Sequence, residues 1–389
     1  MLKSIALTTV LLGACGSPAE ESPPDADPGS PDFPAPPDGE GIQLHASATI
    51  AAGHEEIACR YVVLPDQALE IARFAHHYTP GSHHMLLYPT NLTPDQVDDS
   101  ETFDCTGRGD LHQTGVAYGG AEPDGELTYP DGIGMRLPAH AVMLLETHYL
   151  NATNEPVDAD VRINLWYATQ PIEVEAGTLF FYDWHILVPP APGQASATMR
   201  CHLPQDISLL YATSHMHRRG VAFDSQLLRD GTDPLPLHQS DDWAAPTPSV
   251  FWPPLELAAG DTVEFRCDYR NDLPNPVVEG ESADTNEMCI FIGGYWPKMP
   301  ADDELCLADG DAPVLSGSHT CQESVNCMLD AGVGNWVGGQ ECVADTCAAS
   351  ADALSRFVVC VDRYDCWGDQ SCVAFNCSDA WSACVDAGC

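Results

Sequence analysis

Four short stretches carry residues able to do metal chemistry: His83-His84-Met85, His148 within Leu145-Glu146-Thr147-His148-Tyr149, His215-Met216-His217, and Glu287-Met288-Cys289. Side chains alternate along a strand with period two, so His215 and His217 present both imidazoles on one face and can grip one ion from the same side. His83 and His84 meet the opposite difficulty. Adjacent strand residues point to opposite faces and share a metal only where the strand is bulged or sharply twisted, an irregularity that Thr79-Pro80-Gly81 just upstream can supply. Read singly, His148 is a hydrogen-bonded strand histidine and Met288 is core filler. Read together, imidazoles with one thioether suit copper, because Met favours Cu(I) while His serves both Cu(I) and Cu(II). A hydrolytic zinc site more often combines His with a carboxylate, or uses three His, and a thioether is a poor zinc donor.

The elements that must position these residues are strands. Apolar or alternating runs at 84–88, 141–150, 161–167, 179–188, 207–228, 262–269 and 288–295 are broken by Pro, Gly, Asn and Asp, with no sustained 3.6-residue periodicity between 42 and 308. This predicts an all-β body of antiparallel, jelly-roll-like sandwiches. Roughly 265 residues is too many for one sandwich, so two tandem domains are expected, 42–180 and 181–308. Beyond Asp311 the texture changes to Ala, small residues and closely spaced Cys, ten of them from Cys321 to Cys389. A unit so small has too little core and needs covalent staples, so 315–389 is expected to be a disulfide-rich module. Zinc is the competing reading. It lacks any tight Cys-x2-Cys knuckle, and the only nearby His is His319.

Seventeen Cys overall point to an oxidising compartment. The formal charge of −43, from 58 acidic residues against 15 Lys plus Arg, repels phosphate backbones and makes nucleic acid an improbable partner. A hydrophobic content of 44% suffices for real cores. At the N-terminus Lys3 precedes an apolar run at 5–12 that is too short to span a membrane, which reads as a signal peptide. Leu12-Gly13-Ala14-Cys15 resembles a lipobox, so residues 1–15 are expected to be a lipoprotein signal with Cys15 the lipidated residue; ordinary secretion is the alternative. The expected location is the bacterial cell envelope, at the outer membrane or cell surface, with the lipid as the only membrane contact. Residues 16–41, rich in Pro and acidic side chains, read as a solvated linker.

The order and local context of the four stretches resemble the copper type II, ascorbate-dependent monooxygenases, the family of peptidylglycine alpha-hydroxylating monooxygenase and dopamine beta-monooxygenase. The resemblance covers roughly residues 42 to 308 and rests on His83-His84-Met85, Leu145-Glu146-Thr147-His148-Tyr149, His215-Met216-His217 followed by Gly220, and Asp284-Thr285-Asn286-Glu287-Met288-Cys289. It implies two separate copper sites per chain. His83, His84 and His148 would hold an electron-transfer copper, and His215, His217 and Met288 the copper where dioxygen and substrate meet, with the electron crossing the cleft between domains. It also implies disulfides Cys59 to Cys105, Cys201 to Cys306 and Cys267 to Cys289. The implied reaction is hydroxylation of a C–H bond of a small molecule or peptide, with ascorbate or a similar reductant as co-substrate.

Two departures from the family pattern concern substrate. Where the peptide-hydroxylating member has a carboxylate-reading Arg and nearby polar residues, this chain has Thr213, Ile290 and Ile292, so a C-terminal carboxylate would be poorly held. Glu146 resembles the amine-hydroxylating branch. The rival readings are a non-catalytic copper-binding protein and a surface adhesion lipoprotein working through its Cys-rich tail. His76 and His77 lie close to the His83 pair and read either as aids to copper loading or as exposed strand residues, while His112, His185 and His202 show no partner pattern.

Overall fold

The short β-branched and aromatic runs of the body do form strands, from Gly41 to Pro313, and almost every pairing is antiparallel. The computed structural model describes residues 33–107, 111 and 113–389; the expected signal peptide, Cys15, most of the linker and His112 lie outside the described residues. In the first sandwich one sheet runs in the order Gly41–Ile50, Val157–Tyr167, Leu69–Tyr78, Ile133–Leu137, Val174–Glu175, with Asp124–Thr128 also paired to Leu69–Tyr78. Its partner sheet runs Phe103–Asp104, Glu55–Val63, Val142–Leu150, Ser82–Pro89, Tyr118–Gly120. Phe74, Met85, Leu87, Leu145 and Ile163 fill the space between them.

The second sandwich sets Gly177–Tyr182, Cys289–Trp296, Ile207–Met216 and Ser249–Leu257 against Leu235–Ser240, Gly220–Leu228, Thr262–Asn271, Gly193–His202 and Ala312–Pro313. Leu179, Phe181, Phe223, Phe265 and Phe291 are central to its core. Val174–Glu175 still pairs with the first sandwich while Gly177–Tyr182 belongs to the second. The division therefore falls at Ala176, ahead of the boundary expected after residue 180.

The Cys-rich tail is helical: Cys321–Ala331, Trp336–Ala344, Ala351–Arg363, Gln370–Asn376 and Ser378–Asp386. Five disulfides staple it, Cys321–Cys384, Cys327–Cys342, Cys347–Cys389, Cys360–Cys377 and Cys366–Cys372, which leaves no thiolate there for zinc. In the sandwiches Cys59 bonds Cys105, Cys201 bonds Cys306 and Cys267 bonds Cys289, the pairs that the resemblance implies. The module is no free appendage. Gln340 Nε2 donates to the Trp184 carbonyl at 2.9 Å, the Gly310 amide donates to Asp352 at 2.8 Å, and Arg356 meets Asp309 at 2.8 Å.

Strand Cys289–Trp296 ties this core to the chemistry. Cys289, Phe291 and Tyr295 point into the sandwich, while Ile290 and Ile292 point out to a cavity. Phe291 is fully buried between the rings of Phe181 and Phe265, at 5.8 and 6.3 Å. Phe291→Ala is expected to lower unfolding stability by about 3–5 kcal/mol, read by urea denaturation. A loss under about 1 kcal/mol would mean that this core does not hold the strand in place.

Candidate metal centre

Three local devices aim the histidines. In Ser82–Pro89 the register slips between Ser82, opposite Tyr149, and His84, opposite His148, so His83 is the extra residue of a bulge. The Ser82 hydroxyl donates to the carbonyls of His84 (2.8 Å) and His148 (3.0 Å), which holds the bulge shut. Both rings thereby reach one region, at 5.0 Å between centroids, as the sequence required of an irregular strand. His215 closes one strand and His217 lies just beyond its end at Met216; the alternation puts both on one side, 5.4 Å apart. Gly220 completes the turn, since a Cβ there would lie 2.7 Å from the Met216 sulfur.

The structure brings all five histidines into a single cluster. His83 lies 4.8 Å from His215 and 5.6 Å from His217, His84 lies 4.9 Å from His215, and His148 lies 5.3 Å from His84. The two sets expected on either side of a cleft have neighbouring rings here: by ring centroids His83 is nearer to His215 than His215 is to His217. The reason is that the outer faces of two sheets meet: Ser82–Pro89 and Val142–Leu150 of the first sandwich oppose Ile207–Met216 and Cys289–Trp296 of the second across one cavity.

Four ring nitrogens in the cluster are buried without a hydrogen-bond partner: His83 Nε2, His84 Nδ1, His215 Nε2 and His217 Nε2. Their other contacts orient them. His83 bonds the Met216 backbone, and His217 Nδ1 donates to the Asn286 carbonyl at 3.3 Å, leaving Nε2 its lone pair. Burial, then repulsion among the rings, holds His83, His84 and His215 well below the ordinary imidazole range, and burial with the neighbouring His148 holds His217 at about 3. They are uncharged at neutral pH, the form in which imidazole binds metal. Uncharged nitrogen donors, with the thioether of Met288 on the wall of the same cavity, fit copper.

Two carboxylates do positioning work that the sequence left unassigned. Glu55 accepts from His148 Nε2 at 2.8 Å and, in the second sandwich, from the Ser282 hydroxyl at 2.8 Å and the Ala283 amide at 2.7 Å. Burial opposes its charge, but the bonds from His148 and Ser282, the His148 ring and the Ala283 amide outweigh burial and hold the carboxyl at about 2. Glu287, fully buried, accepts from the amides of Arg219 (2.7 Å) and His217 (3.1 Å), fixing the turn after His217 to the residue before Met288. Met288 is anchored from its other side by the Cys267–Cys289 bond, and its carbonyl accepts from Tyr269 at 2.9 Å. No local signal marks Glu55, which reaches His148 through the pairing of Ile57 with His148. Glu287 sits inside the quoted motif, yet its target amides lie 68 and 70 residues away.

The histidines set aside are accounted for otherwise. His76 is held by the Tyr118 hydroxyl and the Glu122 carbonyl, His77 by Asp124, His185 by Gln340 and His202 by Asp311.

Unfolded histidines titrate near 6.5, whereas His83, His84, His215 and His217 titrate lower, His217 at about 3. As pH falls below about 6.5 the unfolded state takes up more protons, so metal-free protein should lose stability progressively toward acid. A Tm that stays flat from about pH 7.5 to about pH 5 would mean that the rings are not buried as a set. Separately, Glu55→Ala strips His148, Ser282 and Ala283 of their acceptor. It should cost about 1–3 kcal/mol and speed hydrogen exchange across 279–288, with Glu55→Gln milder; unchanged exchange would show that Glu55 does not tie the sandwiches together.

Among known proteins, the chain is 24% identical over 268 residues, 62% of its own length, to "Putative DBH-like monooxygenase protein 2" of Homo sapiens; it spans about half, 53%, of that relative. Among solved structures, a peptide-N(4)-(N-acetyl-beta-D-glucosaminyl) asparagine amidase superposes with TM-score 0.32 at 7% identity, over 66% of this chain and 97% of that one. The major capsid protein P2 of bacteriophage PM2 does so with TM-score 0.24 at 10% identity, over 66% and 100%. Superpositions that weak carry no argument. Over residues 175–317, the segment holding His215, His217 and Met288, the chain matches the copper type II ascorbate-dependent monooxygenase family, C-terminal domain.

Proposed function

We propose that this chain is a copper-dependent monooxygenase that hydroxylates a C–H bond with dioxygen and a reductant such as ascorbate. His83, His84 and His148 hold one copper, and His215, His217 and Met288 a second. The observation that carries this reading is the set of four buried, unpartnered ring nitrogens, drawn from both sandwiches, beside a cavity that Met288 also lines. Each such nitrogen costs about 1–3 kcal/mol unless something completes it. Bound copper supplies the one-electron exchange with dioxygen that no side chain provides. Substrate R–H, dioxygen, two electrons and two protons give R–OH and water, with ascorbate supplying the electrons.

The chain's own residues do the rest. Glu55 orients His148, while Glu287 and the Cys267–Cys289 bond hold His217 and Met288 in fixed relation. The apolar walls keep water from the reacting end. A cavity of about 700 Å³ beside the donors favours an enzyme over a copper store, which has no use for one. The N-terminal pattern supports an exported lipoprotein held at the outer membrane through Cys15, touching the membrane by its lipid alone and binding no nucleic acid.

One further arrangement has an observation in its favour. Ligand nitrogens of His83, His215 and His217 all lie within 4.8 Å of one another, which suits one copper shared between the sandwiches. Metal analysis with copper EPR separates the readings. Two coppers per chain, with His148→Ala and Met288→Ala perturbing different signals and ascorbate abolishing Cu(II), is the expected result. One copper disturbed by both His83→Ala and His215→Ala favours the shared site. No copper at all overturns the proposal.

A further inference from the structure

We infer that the cavity beside the histidines takes an uncharged, mainly apolar organic molecule; this rests on the monooxygenase reading and names its substrate class. At about 700 Å³ the cavity falls in the range that encloses a drug-sized molecule, and His84, His148, His215 and Met288 lie on its wall. The first sandwich contributes Leu86 and Val116, the second Phe180, Leu210, Ile290 and Ile292. All but Val116, which lies in the loop before Tyr118–Gly120, stand on the outer faces of their sheets, where solvated strands would carry polar residues. Apolar residues there make sense as a lining for an apolar guest.

Charge narrows the guest further. Among the described residues no Lys or Arg lines the cavity, so an anionic group would enter with no cation to receive it. Three of the five acidic residues that line it, Asp124, Glu126 and Glu281, are already engaged. Glu122, Asp124 and Glu126 are exposed; Asp124 pairs with His77 at 2.6 Å and Glu126 with Arg73 at 2.7 Å. Glu281 accepts from the Gly107 amide at 2.9 Å. Glu146, facing the cavity interior, lies between the Tyr88 hydroxyl at 3.5 Å and His84 Nε2 at 3.6 Å. An ammonium group would meet Asp124, Glu126 and Glu281 already engaged and would have to give up its water to reach Glu146 in the interior, whereas a neutral molecule gains the apolar contact without that cost.

Equilibrium dialysis of the full chain against three probes with one ring system tests this: 2-ethylnaphthalene, 2-(2-naphthyl)ethylammonium and 2-naphthylacetate. The neutral probe should bind about tenfold or more tightly than either ion. Ile292→Lys should weaken the neutral probe about tenfold and strengthen the acetate, while Ile292→Met keeps the wild-type ranking. Ammonium or acetate binding as tightly as the neutral probe overturns the inference, as does failure of all three to bind. Should Ile292→Lys fail to fold, the ranking by wild type and Ile292→Met decides alone. Copper is counted in the same samples. A neutral preference in protein that takes up no copper sinks the monooxygenase reading and leaves the cavity's selectivity standing; two bound coppers without the preference sink only the selectivity.

Discussion

Five imidazoles can share one buried junction as metal donors only while something dictates which nitrogen each one presents. Three of these rings have a minder: the Met216 backbone for His83, Asn286 for His217, and the Glu55 carboxylate for His148. The Glu55 contact does most, because the same carboxylate also binds Ser282 and Ala283 of the second sandwich. One half-buried anion therefore sets the orientation of a ring and the registration of two domains, a coupling that a loose surface ion pair could not supply.

Around that junction the strands are two-faced. In Ser82–Pro89, Met85 and Leu87 enter the first core while His84, Leu86 and Tyr88 face the cavity; in Cys289–Trp296 the second core takes Phe291 while Ile290 and Ile292 face the same cavity. Ordinary antiparallel sheets solvate one side. Here the outer side carries apolar residues too, so His84, His148 and His215 sit on strands backed by packed cores, the placement that best preserves a demanding geometry, while His217 and Met288 lie just off strand ends.

The helical tail belongs to this arrangement. Trp184 packs into its core beside Leu315 and Ala312, and helix Trp336–Ala344 contacts the small ribbon of Leu187–Val188 and Val277–Val278. The loop that carries Met288 leaves from that ribbon. Five disulfides stiffen a unit too small to be rigid by its core alone, which makes it a suitable brace.

Much of this was legible in the residues themselves, because it depends on local rules. Period-two runs and turn residues called for an all-β body, the adjacency of His83 and His84 demanded a bulge, and the mixture of imidazole with thioether pointed to copper. The spacing of the late cysteines indicated staples in place of zinc. Nothing local could disclose that the two histidine sets meet, since that depends on how two sandwiches pack. Nor could it single out Glu55 among 58 acidic residues, or show that Ile290 and Ile292 line a cavity while Phe291 fills a core. Sequence by itself determined the donor types and the strands that carry them; only the tertiary structure decided which donors share a site, because side-chain alternation sets the face a residue takes and domain packing alone sets what that face meets.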